Sequence, residues 1–236
     1  MDTELLERHA RVLERLAAAC RAAGRMPDEV RLIAISKLHP AKAIRALAGG
    51  GQVDFGENYL QEAMQKREQL ADLPPTAIRW HMTGHIQSRK APQVAGAFSL
   101  IHSLDSRKLA DALERRLVAL ETRQPVLLEV NVGAEAQKSG VMVNDLPFLA
   151  EYIQEHCPHL ELRGLMCLPP VFDAGEAARP YFALLRQLRD ALRGRLGLPL
   201  PELSMGMSGD FEAAVAEGAS MVRIGTDIFG PRPVRS

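Results

Sequence analysis

Short apolar runs rich in Val, Ile and Leu alternate along this chain with longer stretches in which apolar residues recur at helical spacing. That alternation is the pattern of βαβ units and a parallel sheet. Eight runs read as strands, at residues 31–36, 52–55, 78–82, 98–103, 126–132, 161–166, 202–205 and 221–225. A helix is expected over residues 2–23, and amphipathic helices over 41–47, 57–70, 106–121, 146–156, 177–196 and 210–217. Most open on Ser, Asn, Asp or Pro, as helix starts do. The third helix, at 89–95, is weak because Pro92 interrupts it. Eight repeats in 236 residues, near the roughly 250 typical of the fold, predict a single closed (β/α)8 TIM barrel over residues 1–236, with an extra N-terminal helix. An open doubly wound sheet is the alternative, but no G-x-G-x-x-G follows the first strand to mark a dinucleotide site.

Composition narrows the function classes. With 47% hydrophobic and 25% charged residues the chain reads as globular, and 29 basic residues balance 29 acidic ones. That balance lacks the electrostatic footprint of nucleic-acid binding. Cys20, Cys157 and Cys167 are odd in number and widely spaced, which argues for a reducing compartment over a disulfide framework. The charged N-terminus has no apolar signal core, and no stretch approaches the roughly 20 apolar residues of a membrane span. A cytoplasmic protein with no membrane partner is expected.

Chemistry in such a barrel sits at the carboxyl ends of the strands. Lys37 closes the first strand on the same face as Ile33 and Ile35, so it is expected to point inward. An amine there loses solvation and becomes free to attack an aldehyde; the alternative is a lysine snorkelling from a strand end. Glycines 206, 209, 225 and 230, with Ser208 and Thr226 at helix starts after strands seven and eight, suit a bound anion such as phosphate. The same two hydroxyls also suit plain helix caps. Arg223 shares a face with Met221 and Gly225; an inward arginine needs a partner, either a pyridine nitrogen or a carboxylate of Asp54, Glu129 or Asp227. Together these residues suggest a pyridoxal phosphate site. His81 and His85 are four apart, but Gly84 and the strand pattern fit no zinc helix, so no metal is expected.

Seven stretches carry a family resemblance: Ala34-Ile-Ser-Lys37, Phe55-Gly-Glu-Asn-Tyr-Leu-Gln-Glu62, Trp80-His-Met-Thr-Gly-His-Ile-Gln-Ser-Arg-Lys90, Val130-Asn-Val132 with Lys138-Ser-Gly140, Arg163-Gly-Leu-Met166, Leu203-Ser-Met-Gly-Met-Ser-Gly-Asp210 and Met221-Val-Arg-Ile-Gly-Thr-Asp-Ile-Phe-Gly230. By these, the chain resembles the pyridoxal phosphate homeostasis protein family, the YggS and PROSC type, similar in fold to the barrel of alanine racemase. The resemblance implies that Lys37 carries the cofactor as an internal aldimine, that Ser208, Gly225 and Thr226 hold the phosphate, and that Arg223 faces the pyridine nitrogen. Asn58 and Met166 would line the ring. Gly209 stands where many relatives carry an acidic residue and Asp227 where many carry Ala, the latter placing an extra charge near the phosphate helix.

Two function classes follow. One is a protein that holds pyridoxal phosphate and takes part in vitamin B6 homeostasis, buffering the cofactor or passing it transiently to apoenzymes, without substantial catalysis. The other is an amino-acid racemase, which needs acid and base groups on both faces of the substrate carbon. In alanine racemase the opposing tyrosine comes from a second domain across a dimer, whereas only Pro231 to Ser236 follow the last motif here. Of Tyr59, Tyr152 and Tyr181, Tyr59 alone is expected near the rim. Binding as a monomer is therefore the expectation. A Schiff-base aldolase, which needs no ring-holding Arg223, ranks last. Lys138 is a candidate second amine, or a solvated loop lysine, and Cys167 is expected to be a buried, unreactive thiol.

Overall fold

The computed structural model describes residues 2–170 and 173–231, so the segment after Pro231 lies outside the described residues. Eight parallel strands form one sheet: β1 (Arg31–Ile35), β2 (Asp54–Glu57), β3 (Arg79–Met82), β4 (Leu100–Leu104), β5 (Gln124–Asn131), β6 (Leu160–Cys167), β7 (Glu202–Ser204) and β8 (Met221–Ile224). β1 pairs with both β2 and β8, and β4 pairs with β5, so the sheet closes on itself as a barrel. The two-residue segment Val141–Met142 adds a short outer rung beside β5.

Helices α1 (Asp2–Ala22), α2 (Ala41–Gly49), α3 (Leu60–Gln69), α4 (Ala91–Val94), α5 (Arg107–Leu120), α6 (Leu146–His156), α7 (Arg179–Leu196), α8 (Phe211–Ala216) and α9 (Thr226–Phe229) surround it. α1 packs on α8, α9 and α2, burying Leu5, Val12, Leu16 and Cys20. None of these helices is long and apolar enough to cross a membrane.

Two expectations need correction. β2 starts at Asp54 and extends through Gly56 and Glu57, two residues later than its apolar run suggests, because Gln52 is spent outside the ladder, donating to the carbonyls of Leu32 and Asp54 at 2.8 and 2.7 Å. α3 consequently starts at Leu60. Pro92 does not interrupt the third helical unit; it lies in the first turn of α4, where a missing N–H costs no hydrogen bond.

The barrel interior mixes apolar and polar side chains. Ile33, Ile35, Leu100, Leu127, Met166 and Met221 form an inner cluster separate from the larger core between sheet and helices. His81, His102, Ser204 and Arg223, all buried, occupy the remaining inner space. Branched apolar residues usually dominate such interiors, so this polar content marks a special use.

Candidate functional site

At the carboxyl ends of the strands Lys37, Asn58, Thr83, Lys138, Ser208, Arg223, Gly225 and Thr226 line one cleft of about 380 Å³. Lys37 follows Ile35 and Ser36, so strand alternation turns it to the inner rim above Ile33 and Ile35. The turn that presents it is clamped. Leu38 adopts φ 65°, a left-handed backbone that costs a non-glycine residue roughly 1–2 kcal/mol. Its N–H donates to Glu62 Oε1 at 2.6 Å.

Lys66, from α3, donates to the Ser36 carbonyl at 2.7 Å and to Glu57 Oε1 at 2.6 Å, and pairs with Glu62 at 2.6 Å. Ser36 Oγ donates to the same Glu57 oxygen at 2.6 Å. Burial pushes the Glu57 carboxyl above its ordinary pKa, with Lys66 pulling it back. Four side chains, Ser36, Glu57, Glu62 and Lys66, thus hold the backbone of Ser36 and Leu38 on either side of the lysine.

Arg223 faces the cleft from β8 and is only 4% exposed. Nη1 donates to Ser204 Oγ at 2.7 Å and Nη2 to the Cys167 carbonyl at 2.8 Å. Burial lowers its pKa from the usual arginine value. It makes no ion pair with the three carboxylates considered above: Asp54 is bonded to Arg79 and His81, and Asp227 to Arg15 of α1 at 2.6 Å. Glu129 is pushed up to about 7 by burial first and by the charge of Asp105 second, with Arg223 opposing. The extra charge at Asp227 is therefore spent on α1.

Ser208 Oγ accepts from the Asp227 N–H at 3.4 Å, which ties the loop after β7 to the first turn of α9. Asp210 Oδ1 accepts from the Met207 N–H at 2.6 Å and shapes the same loop. Asn58 Oδ1 accepts from Thr83 Oγ1 at 3.1 Å. Gly84 packs so tightly on Asn58 that a Cβ there would lie 2.2 Å from the Asn58 carbonyl oxygen. Asn58 is thus both at the cleft and part of the loop's frame.

Met166 is buried in the inner cluster beneath the cleft, outside its lining. Lys138 is at the cleft rather than free in solvent: it donates to the Pro169 carbonyl at 2.9 Å and pairs with Glu135. Cys167 is fully buried, and its thiol is pushed up to about 12, chiefly by burial. No tyrosine lines the cleft: Tyr59 is half exposed on the outside, Tyr152 donates to Asp111 and Tyr181 to Asp173. His81 turns into the barrel while His85 meets Asp105 at 3.3 Å on the surface, so the two do not converge. Among the described residues no group of three or more His, Cys, Asp or Glu is placed to hold a metal.

The donor set suits a phosphorylated pyridine aldehyde: the amines of Lys37 and Lys138, one guanidinium deep in the cleft, and hydroxyl and glycine backbone groups at the rim. Sequence reasoning missed Glu57, Glu62 and Lys66, although both glutamates lie within the Phe55-to-Glu62 stretch. It also missed Thr83, Ser204 and His102.

Comparison with known proteins agrees with this architecture. The family described as alanine racemase, N-terminal domain, matches residues 12–233. A pyridoxal phosphate homeostasis protein of Aquifex aeolicus is 45% identical over 96% of this chain and 97% of its own length. One from Pseudomonas aeruginosa is 46% identical over 97% and 96%. Among solved structures, PipY of Synechococcus elongatus with PLP bound is 36% identical, with a TM-score of 0.80 over 96% of this chain and 100% of that one. Alanine racemase of Corynebacterium glutamicum shares the fold at 19% identity and a TM-score of 0.68, over 95% of this chain and 62% of that one.

Proposed function

Since the chain belongs to the pyridoxal phosphate homeostasis protein family, we propose that it binds pyridoxal phosphate in the cleft at the carboxyl ends of its strands and takes part in vitamin B6 homeostasis. The observation that carries this reading is the convergence of Lys37, Arg223, Ser208, Gly225 and Thr226 on one cleft. When bound, the cofactor brings a reactive aldehyde and an electron-withdrawing ring. Lys37 holds it covalently through Nζ. Ser208, Gly225 and Thr226 take the phosphate, Arg223 donates to the ring nitrogen and keeps it unprotonated, Asn58 borders the ring, and Met166 supports it from beneath.

The role is to hold and hand over the cofactor rather than to turn over a substrate. Racemisation needs a second acid or base on the opposite face, and none of the three tyrosines is among the residues lining the cleft. Lys138 is drawn to Glu135. Apoenzymes receive the cofactor transiently from a monomer, and three free, buried cysteines support a reducing, cytoplasmic setting.

The test is a visible spectrum of protein loaded with pyridoxal phosphate, followed by borohydride reduction and peptide mapping. A coloured protein labelled at Lys37, with the label lost in Lys37→Ala, is the expected result. A colourless protein or a label elsewhere overturns the reading, and rapid racemisation of free amino acids overturns the non-catalytic role.

A further inference from the structure

A chain of hydrogen bonds runs down the inside of the barrel from the cofactor cleft to the opposite mouth. Arg223 Nη1 lies 2.7 Å from Ser204 Oγ, and Ser204 Oγ lies 2.8 Å from His102 Nδ1. His102 Nε2 lies 3.0 Å from His81 Nδ1, and His81 Nε2 lies 2.8 Å from Asp54 Oδ1. Arg79 closes the chain, donating through Nε and Nη2 to the two Asp54 oxygens at 2.8 and 2.6 Å. The links come from β8, β7, β4, β3 and β2, and from Arg223 to Asp54 no residue is more than 5% exposed.

The two ends dictate its direction. A guanidinium only donates and a carboxylate only accepts. Ser204 Oγ therefore accepts from Arg223 and turns its own hydrogen to His102 Nδ1. That leaves the His102 hydrogen on Nε2, which donates to His81 Nδ1. His81 in turn carries its hydrogen on Nε2 and donates to Asp54. Two neutral imidazoles of the same tautomer satisfy every link with Ser204 as donor to His102, whereas a proton added at His102 Nδ1 turns Ser204 from donor to acceptor on that link and reverses it.

The surroundings favour the neutral rings. Burial lowers the pKa of both histidines, most for His102. Arg31 on β1, Arg79 and Arg223 repel a further proton, while Asp54 attracts one to His81. At the far mouth Glu202 is engaged by Arg31, and Glu161 and Arg163 border the same cleft.

We propose that Ser204, His102 and His81 are positioning residues, a one-way relay that presents Arg223 to the cofactor ring in a single orientation and links it to the Asp54–Arg79 pair at the other end of the barrel. The proposal rests on the reading that pyridoxal phosphate is bound at Lys37 with Arg223 against its ring nitrogen. Ser204 Oγ and the Cys167 carbonyl are the acceptors that hold the guanidinium, so loss of the Ser204 hydroxyl removes half of its anchorage and leaves His102 Nδ1 without a donor.

The experiment compares pyridoxal phosphate affinity, and the pH dependence of the bound cofactor's absorbance, in wild type and the variants S204A, S204T, H102L and H102Q. Nitrogen-15 NMR of histidine-labelled protein reads the tautomers directly. Both rings are expected as neutral Nε2–H forms at pH 7. S204A and H102L weaken binding about tenfold and shift the absorbance pH profile, the loss expected for one charge-assisted hydrogen bond. S204T keeps the hydroxyl, and H102Q keeps one acceptor and one donor, so both restore affinity to within about twofold of wild type. An Nδ1–H or doubly protonated ring at pH 7 overturns the relay, as does S204A with wild-type affinity and pH profile. If H102L does not fold, S204A and the NMR spectrum decide. Failure of the underlying reading looks different: wild type itself then lacks a borohydride label on Lys37, whatever residue stands at 204.

Discussion

At Lys37 an amine at the cleft and a strained backbone meet. Leu38 holds φ 65° next to it, and the residues that enforce this, Glu57, Glu62 and Lys66, are bonded together outside the lining of the cleft. Strain held by its surroundings is characteristic of sites where geometry matters. Replacing Glu57, which is fully buried, with Ala leaves the Lys66 ammonium with one carboxylate fewer in a dry site. A loss of about 3 kcal/mol is expected in urea unfolding, and a double variant with Lys66→Met should recover part of it. A loss below about 1 kcal/mol marks the pair as a mere surface ion pair. Lys37 and Arg223 were legible in the sequence, because two-residue alternation from a buried strand leaves one choice of side. The clamp was not, because a strand-end glutamate and a mid-helix lysine nine residues later read as two separate surface charges. Only the packing of α3 over the strand ends buries them together.

The β-elements follow the apolar runs closely, and the exceptions have local causes. Between β5 and β6 the register slips: Val126 pairs with Leu162, but Leu127 pairs with Gly164. The extra residue, Arg163, is exposed, and Gly164 takes φ 150° with its backbone against β7. A Cβ there would stand 1.9 Å from the Glu202 carbonyl oxygen. Gly164→Ala therefore forces two strands apart, and a destabilisation of about 3 kcal/mol or more is expected, read as a lower midpoint in thermal or urea unfolding. Gly84→Ala presses on the Asn58 backbone instead, so cofactor affinity should fall more than stability. The Arg163-Gly164 stretch was visible as a motif, yet its bulge was not, since register depends on the neighbouring strand. The same holds for β2, whose start is set by Gln52 bonding across to β1.

Over the whole molecule, buried titratable groups give stability a structured pH dependence. His81 and His102 have folded pKa values below the ordinary 6.5. The unfolded chain therefore binds more protons, and stability falls as pH drops below about 6.5. Glu129 works in the opposite sense. Its folded pKa of about 7 lies above the ordinary 4.5, so its contribution is full below 4.5 and is lost as pH rises through 7. Glu129→Gln should be more stable than wild type at pH 8, by about 2–3 kcal/mol, with most of the difference gone near pH 5; equal stability at pH 8 refutes the raised pKa of Glu129. Asp54, held down to about 2 by His81 and Arg79 against the cost of burial, adds a further loss as pH falls from 3.8 through 2.

The order of strands and helices, the barrel they imply, the inward lysine and arginine and the glycine-rich rim all follow from local pattern, because alternation, caps and glycines act over a few residues. Which side chains meet inside the barrel was decided by closure alone. Ser204, His102, His81 and Asp54 lie as far apart as 150 residues in the chain, and each reads by itself as an ordinary core polar residue. Closing eight strands on one axis brings them within hydrogen-bonding distance, in a space too dry to leave any of them unpaired.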